Sequence, residues 1–379
     1  MLRRLVLLFA VLALVAAACG SSDEAEETTT TVGGSETTEA ATDSGQEATP
    51  AGESTLDVVK ERGVLKCGTA GTALGFSETQ ADGSAVGFDV DQCRAIAAAV
   101  LGDADAVEYT PLSSAQRFEA LKNNEIDVLI SVVTWTQSRD TDIGIDFAAT
   151  TYYDGQQMMG DSARLPGLTP ESTFADIDGA SVCALSGTTS EKNVTEGAEV
   201  AGVDITLETI EAFPDLFDRF EAGACDITTI DGSSLFANRA AAIADGNTDA
   251  ENWVIFPSSP FSKEPLGPAV RQNDSKWFDV VNWTMFALFI ADENGVTSAN
   301  IDADMESTPE LARLFGADEG ELQTKMGLPK DAFYQSIKQV GNYGEIFVKH
   351  LTEPLGIERD GSYNMQWFDG GLIYAPPAR

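Results

Sequence analysis

Short apolar, β-branched runs and amphipathic stretches alternate along residues 64–244, in an order that repeats once. Val64–Thr69 reads as a strand. Asp89–Leu101 reads as a helix: Asp89 with Gln92 makes a capping-box pattern, Ile96, Ala97, Val100 and Leu101 share a face, and Gly102 stops it. Ala106–Leu112 is a second strand, Ser113 with Gln116 opens a helix ending near Asn123-Asn124, and Ile126–Val133 is a third strand. The series then restarts with strand Ser181–Leu185, a helix capped by Thr188 and Glu191, and strand Asp204–Ile210. Helix Pro214–Ala222, strand Asp226–Ile230 and helical Gly232–Ala244 complete it. Both halves carry Arg-Phe-Glu-Ala before their third strand, at Arg117–Ala120 and Arg219–Ala222. Alternating strands and helices imply two similar α/β lobes with parallel sheets and right-handed crossovers.

The stretch Glu125–Phe147 carries the first chemistry. Its strand empties into hydroxyl-rich Thr134-Trp135-Thr136-Gln137-Ser138 and then reaches Arg139. In open α/β sheets ligands bind at the carboxyl ends of strands. An arginine there can hold a carboxylate by two parallel hydrogen bonds, with a threonine hydroxyl adding a third. The plain alternative is that Arg139 pairs with Asp140 or Asp142 on a solvated loop.

Composition changes the picture at the ends. Arg3 and Arg4, the apolar Leu5–Val15 and Ala16-Ala17-Ala18 form an export signal, too short for an ordinary membrane span. Cys19 follows at once, so the segment resembles a bacterial lipoprotein signal. Ala16 stands where that pattern usually has leucine, which leaves plain signal cleavage as the alternative. Ser21–Thr55 holds nine acidic residues, no Lys or Arg, and little to bury. It is expected to be a disordered, extended tether.

The net charge of −38 becomes about −31 for the body once those nine acids, Arg3 and Arg4 are set aside. Nucleic acid is excluded as a partner, because binding it rests on phosphate neutralisation. Four body cysteines remain. Sequence allows three pairings, and the expected one is Cys67–Cys93 within the first unit and Cys183–Cys225 on the first and third strands of the second, at roughly 2–4 kcal/mol each. His350 is the only histidine, and with no CxxC or Cys/His cluster neither a metal nor a cofactor is expected.

Nine further segments carry a resemblance: TLDVVKERGVLKCG, GFDVDQCRAIAAAV, YTPLSSAQRFEAL, EIDVLISVVTWTQSRD, TTYYDGQQMM, LSGTTSEKN, KEPLGPAVRQND, KQVGNYGEIF and GGLIYAPPAR. In this order they resemble extracytoplasmic substrate-binding proteins of polar amino-acid ABC transporters, particularly the general L-amino-acid type. That resemblance implies an α/β, two-lobed fold of the periplasmic-binding-protein type II. Each lobe is a mainly parallel sheet flanked by helices, and two crossover hinge strands join them near Thr151–Gln157 and Ile255–Gly267. The expected division is a signal peptide (1–19), a tether (20–55), the first part of lobe 1 (56–153) and lobe 2 (154–257). Residues 258–379 return to lobe 1 and add a C-terminal helical extension. The implied protein is a monomer held at a membrane by lipid on Cys19. It binds L-amino acids, broadly but with polar or acidic side chains preferred, and passes them to permease subunits.

Carried over residue by residue, Arg139 matches the arginine that holds the ligand α-carboxylate, and Thr134 the hydroxyl beside it. Thr188 and Thr189 open a helix whose free N–H groups attract a carboxylate; Thr188 can also be a helix cap and nothing more. Asp231 matches the acid that pairs with the α-ammonium, with helix capping as its plain alternative. Phe76 matches an aromatic that packs on the ligand, with a core-facing phenylalanine as its plain alternative. Ala73 stands where several relatives place a tyrosine lid. Val132 replaces a polar residue, so any contact from it uses its backbone. Arg117 matches an arginine that some acidic-amino-acid binders use on the side-chain carboxylate, with a surface arginine paired to a nearby acid as its plain alternative. Asp89 and Asp91 read as helix capping, and Trp135 with Tyr152-Tyr153 as core and hinge packing. The rival class is a small-molecule enzyme of the dehydratase type on the same scaffold, which needs a positioned acid–base pair. No GxSxG, SxxK, Walker loop or HExxH is present.

Overall fold

The computed structural model describes residues 54–317 and 321–379. The expected export signal, Cys19 and nearly all of the expected tether lie outside the described residues. In chain order the elements are α1 (Thr55–Arg62), β1 (Leu65–Thr69), α2 (Phe88–Leu101), β2 (Val107–Pro111), α3 (Arg117–Lys122), β3 (Val128–Leu129) and β4 (Ile145–Phe147). A crossover, β5 (Tyr152–Asp154), leads into β6 (Gln156–Asp161), β7 (Ser181–Leu185), α4 (Thr189–Ala201), β8 (Thr206–Ile210), α5 (Phe213–Glu221), β9 (Ile227–Asp231), α6 (Gly232–Ala244) and β10 (Trp253–Phe256). The return runs through β11 (Glu264–Leu266) and β12 (Ala269–Arg271) into α7 (Ser275–Glu293) and shorter helices.

One five-stranded sheet has the order β2-β1-β3-β12-β4 and the other β8-β7-β9-β6-β10. In each, the first three strands are parallel in 2-1-3 order. The fourth strand of each, β12 or β6, arrives from a crossover and runs antiparallel to both its neighbours. The crossovers pair with each other, Glu264 opposite Asp154 and Leu266 opposite Tyr152. Both disulfides, Cys67–Cys93 and Cys183–Cys225, are present, one in each lobe. Cys67 on β1 meets Cys93 on α2, so the first bridge staples helix to sheet.

Three readings of local structure need correction. The third strand keeps only Val128–Leu129 in its ladder; Ile130–Val133, apolar but for Ser131, have left it to form the loop that reaches the cleft. Helix α2 begins at Phe88 with Gly87 as its cap, and Asp89 caps nothing. A Cβ on Gly87, at φ +139°, would collide with the carbonyl oxygen of Phe76, so only glycine fits that entry. Helix α3 begins at Arg117, with no side-chain cap from Ser113 or Gln116. The Ser113 hydroxyl instead donates to the Gln116 side chain at 2.9 Å.

The C-terminal extension belongs to the first lobe's core. Tyr343 and Phe347 pack with Phe88, and Tyr343 also against Phe289. The same segment fixes the hinge: Tyr343 donates to the Thr151 carbonyl at 3.0 Å, and Asn364 accepts from the Tyr153 N–H at 2.7 Å and donates to its carbonyl at 3.2 Å. Asp91 joins in, accepting from Lys349 at 2.8 Å and sharing a hydrogen bond of 2.6 Å with His350. It is an anchor for the extension rather than a cap. The apolar run Val280–Ile290 lies within α7, most of it buried in the core. No described helix is long and apolar enough to cross a membrane.

Candidate ligand-binding cleft

A cavity of about 390 Å³ lies between the two sheets, at the carboxyl ends of β1, β2, β3, β7 and β9. That is where open α/β sheets bind ligands. The lobes meet around it. The Thr134 and Thr189 hydroxyls, one from each lobe, are 3.5 Å apart. A Cβ on Gly187 would stand 3.5 Å from the Ala115 Cα across the cleft.

Arg117 is 4 % exposed and lines this cavity. Its Nη1 donates to the Ser131 carbonyl at 2.8 Å, while its buried Nε has no partner. Burial pushes the guanidinium down to about 9, aided by the charge of Arg139 and opposed by Asp231 and Asp89. Arg139, on a π-helical turn, is 5 % exposed and donates to the Thr134 carbonyl at 2.8 Å. Its own atoms are not part of the cavity wall; Thr134, which it grips, is. Both guanidinium carbons stand about 5 Å from the centre of the Phe118 ring. Such cation–π contacts favour the charged forms. Burial lowers the Arg139 pKa, against the opposing pull of Glu264 and Asp231. Neither arginine has an acidic partner within 4 Å among the described residues, so the alternative of an Arg139–Asp140 or Arg139–Asp142 pair does not occur.

Asp231 faces them from the second lobe. It stands at the cap position of α6 but makes no capping bond, and its carboxylate has no hydrogen bond among the described residues. It is 6 % exposed and lines the cavity. Burial, then the neighbouring charges of Asp154 and Glu264, raise its pKa well above the carboxylate range, against the attraction of Arg139 and Arg117.

The strand-end loop carries strain. Val132 adopts φ +47°, a left-handed conformation that costs a β-branched residue about 1–3 kcal/mol. The buried Asp89 accepts its N–H at 2.9 Å, which holds the loop in place. Burial pushes the Asp89 carboxyl up to about 7, against the Val132 N–H and Arg117.

Thr188 caps α4, accepting the Glu191 N–H at 3.2 Å and donating to the Leu185 carbonyl at 2.6 Å. It lines the cavity as well, as does Thr189. The N–H groups of Thr189 and Ser190 have no hydrogen-bond partner among the described residues. The helix therefore presents free donors and its positive end to the cavity.

Phe76 is a correction. It is fully buried, 5.3 Å from Tyr152 and 5.9 Å from Phe88 in edge contacts, and is not part of the cavity wall. The chain turns after β1 so that Ala73 faces the cavity and Phe76 faces the core. Trp135, read as core, is 43 % exposed and stacks on Phe147.

Sequence reasoning missed two buried acids on the crossovers. Glu264 accepts from Thr189 and Asn193 of α4 at 2.8 Å each, and from Ser262 at 2.6 Å. Asp154 accepts from the Ser233 hydroxyl and from the Gly155 N–H, and burial pushes its carboxyl up to about 6. The available signal was a lone acid inside an otherwise uncharged hinge strand, as in Tyr152-Tyr153-Asp154 and Glu264-Pro265-Leu266.

Residues 65–294 match the model of the bacterial extracellular solute-binding proteins, family 3. The chain belongs to that family. It is 42 % identical over 331 residues to the glutamate/glutamine/aspartate/asparagine-binding protein of Rhodobacter capsulatus, covering 87 % of this chain and 94 % of that one. It is 40 % identical over 336 residues to the general L-amino acid-binding periplasmic protein of Rhizobium johnstonii, covering 88 % and 95 %. Among solved structures it resembles an ABC transporter periplasmic binding protein from Brucella ovis with glutathione bound. There the TM-score is 0.81 at 41 % identity, covering 86 % of this chain and 100 % of that one. As a family 3 solute-binding protein the chain works outside the cytoplasm.

Proposed function

We propose that this family 3 protein binds a free L-amino acid between its lobes and delivers it to the permease of an ABC transporter. One observation carries the reading. Arg117 and Asp231 line one cleft from opposite lobes with Arg139 behind Thr134, all three are buried, and none has an ion-pair partner within 4 Å among the described residues. Buried charges are costly unless paired. An α-amino acid supplies both missing partners on one carbon.

In this reading the α-carboxylate meets Arg139, Thr134 and the free N–H groups of Thr189 and Ser190, with Thr188 holding that turn. Asp231 takes the α-ammonium, the Val132 backbone lines the same pocket, and Arg117 reaches a side-chain oxygen. Polar and acidic side chains are therefore favoured within a broad range. The names of the Rhodobacter and Rhizobium relatives support this range. The glutathione of the Brucella structure supports the charge pattern, because its glutamyl end also carries ammonium and carboxylate on one carbon. The chain acts as a monomer, anchored by lipid on Cys19 through the acidic tether.

The test is a thermal-shift screen of the common L-amino acids against the full chain. A ligand at a hundred times its Kd stabilises by about 2.7 kcal/mol, which moves the midpoint by several degrees. A flat response to every amino acid would overturn the proposal.

A further inference from the structure

Three acids stand together where the hinge meets the cleft. Asp231 ends β9, one residue before α6. Asp154, on β5, accepts from the Ser233 hydroxyl in the first turn of α6 and from the Gly155 N–H at 2.8 Å. Glu264, on β11, lies opposite Asp154 in the antiparallel pairing of the crossovers. Side chains directly opposite in such a pair project from one face, with Cβ atoms roughly 4.5–5.5 Å apart, and like charges there repel. The Gly232 N–H, immediately after Asp231, donates to the Gly155 carbonyl at 2.9 Å. That bond ties the end of β9 to the first crossover.

Charge in this cluster does not balance. The donors to Asp154 and Glu264 are hydroxyls, an amide and backbone N–H groups, all uncharged. None of the three acids has a basic partner within 4 Å among the described residues, and Asp231, buried and lining the cavity, has no hydrogen bond at all. The cations whose field reaches Asp231 are Arg139 and Arg117 of the other lobe, and in the proposed binding mode both turn to ligand oxygens. On its far side Asp154 borders an outer groove with Tyr152, Arg239 of α6 and Glu358 of the C-terminal extension. That groove shares no lining residue with the ligand cavity, so the cluster has a separate outlet to solvent.

Carboxylates crowded without cations keep a proton among them rather than ionise together. Burial and the charges of Asp154 and Glu264 act on Asp231 in that sense. An α-ammonium beside Asp231 supplies the missing positive charge and removes the need for that proton. We propose that Asp154 and Glu264 are positioning residues for ammonium recognition, which load the Asp231 cluster with a proton that the ligand ammonium displaces to solvent. This rests on the amino-acid reading and extends it to regulation. The exchange balances: the ammonium keeps its own protons, and one proton leaves a carboxyl O–H for water. The ligand-free protein holds this proton more tightly than the complex does. Affinity is therefore lost as pH falls, by at most about tenfold per unit.

The test is calorimetry of L-glutamine binding to the full chain at pH 7 in phosphate and in Tris, whose ionisation enthalpies differ, so that the difference in heat counts the protons exchanged. The parent should release about half a proton or more, and its Kd should rise about three- to tenfold per unit as pH is lowered from 7.5 to 5.5. Asp154→Asn and Glu264→Gln each keep the side-chain shape and remove one charge. Each should still bind L-glutamine, release less than about half as many protons as the parent, and show a flatter pH profile. If the parent binds L-glutamine with equal heats in both buffers and no loss of affinity toward pH 5.5, this proposal alone falls. It falls equally if the variants bind more weakly but release as many protons as the parent, since the acids are then structural. If L-glutamine does not bind the parent at all, the amino-acid reading falls with it.

Discussion

Replacing Asp231 by asparagine separates binding from folding, because the side chain keeps its shape and has no hydrogen bond to lose among the described residues. Truncating one member of a buried charge pair costs about 2–5 kcal/mol of binding. At about 1.4 kcal/mol per tenfold, L-glutamine should bind roughly 30- to 5,000-fold more weakly. Folding should respond in the opposite sense. Burial raises the Asp231 pKa above its unfolded value. The folded state thus holds that proton more tightly, and the contribution of Asp231 to stability declines as pH rises from the unfolded value toward the folded one. At neutral pH the ligand-free variant should be at least as stable as the parent. The assay pairs calorimetry with a thermal melt, using L-glutamine and its des-amino analogue, 4-carbamoylbutanoic acid. The parent should strongly prefer L-glutamine, and the variant should lose most of that preference. A variant that still rejects the des-amino compound as sharply as the parent, or whose ligand-free form melts several degrees lower, would refute the reasoning.

Arg139→Ala should weaken amino-acid binding at least a hundredfold while circular dichroism stays native, since the only hydrogen bond of its side chain among the described residues is to the Thr134 carbonyl; near-native affinity by calorimetry would end its assignment to the α-carboxylate. Arg117→Ala should weaken glutamate and aspartate more than alanine, measured by competition; equal losses would remove Arg117 from side-chain recognition. Asp91 sits at about 2 despite its burial, because His350 and Lys349 hold it down. Its stabilisation is full above the ordinary carboxylate value of ~4 and fades as pH falls toward 2, so Asp91→Asn should cost about 2 kcal/mol at pH 6 and much less at pH 2 by chemical denaturation.

The central strands were legible because parallel strands buried on both faces are written as mainly apolar runs, and their helices as caps and 3.6-residue patterns. The limits of that legibility appear where the chain leaves regular structure. Ile130–Val133 are, but for Ser131, as apolar as the strand before them, yet they leave the ladder, and no periodicity encodes the φ of Val132. Asp89 looks like a cap because acidic residues favour first turns, but its carboxylate is used on a backbone N–H from a distant loop. Phe76 illustrates the converse. One aromatic in a short loop can face ligand or core, and the choice depends on the path of the chain past Gly75, which packs against Leu351 and Leu355 of the C-terminal extension. Glu264 and Asp154 were overlooked because hinge strands are short and lack a pattern, so an acid there resembles an ordinary turn residue.

These overlooked acids alter how closure is understood. Arg117 of one lobe and Asp231 of the other face a single cavity, with Arg139 behind Thr134, and no described acidic or basic group pairs any of them. Glu264 does not fill that gap, since its three hydrogen bonds go to α4 and Ser262. Through them it ties the return crossover to the helix whose N-terminus faces the cavity. Without ligand the closed form therefore carries desolvated, unmatched charge, and the open form, which lets water reach those groups, is favoured relative to it. In the proposed binding mode a zwitterion reverses the balance because each end satisfies one lobe. A ligand can shift an equilibrium only by its differential affinity for the two forms, and here that difference arises from charges on opposite lobes that one molecule alone can pair. An analogue lacking either the ammonium or the carboxylate would satisfy one lobe and leave the other unmatched, so it should lose the closing equilibrium along with the contact. Recognition of the α-amino acid group and closure of the protein are, on this argument, the same event.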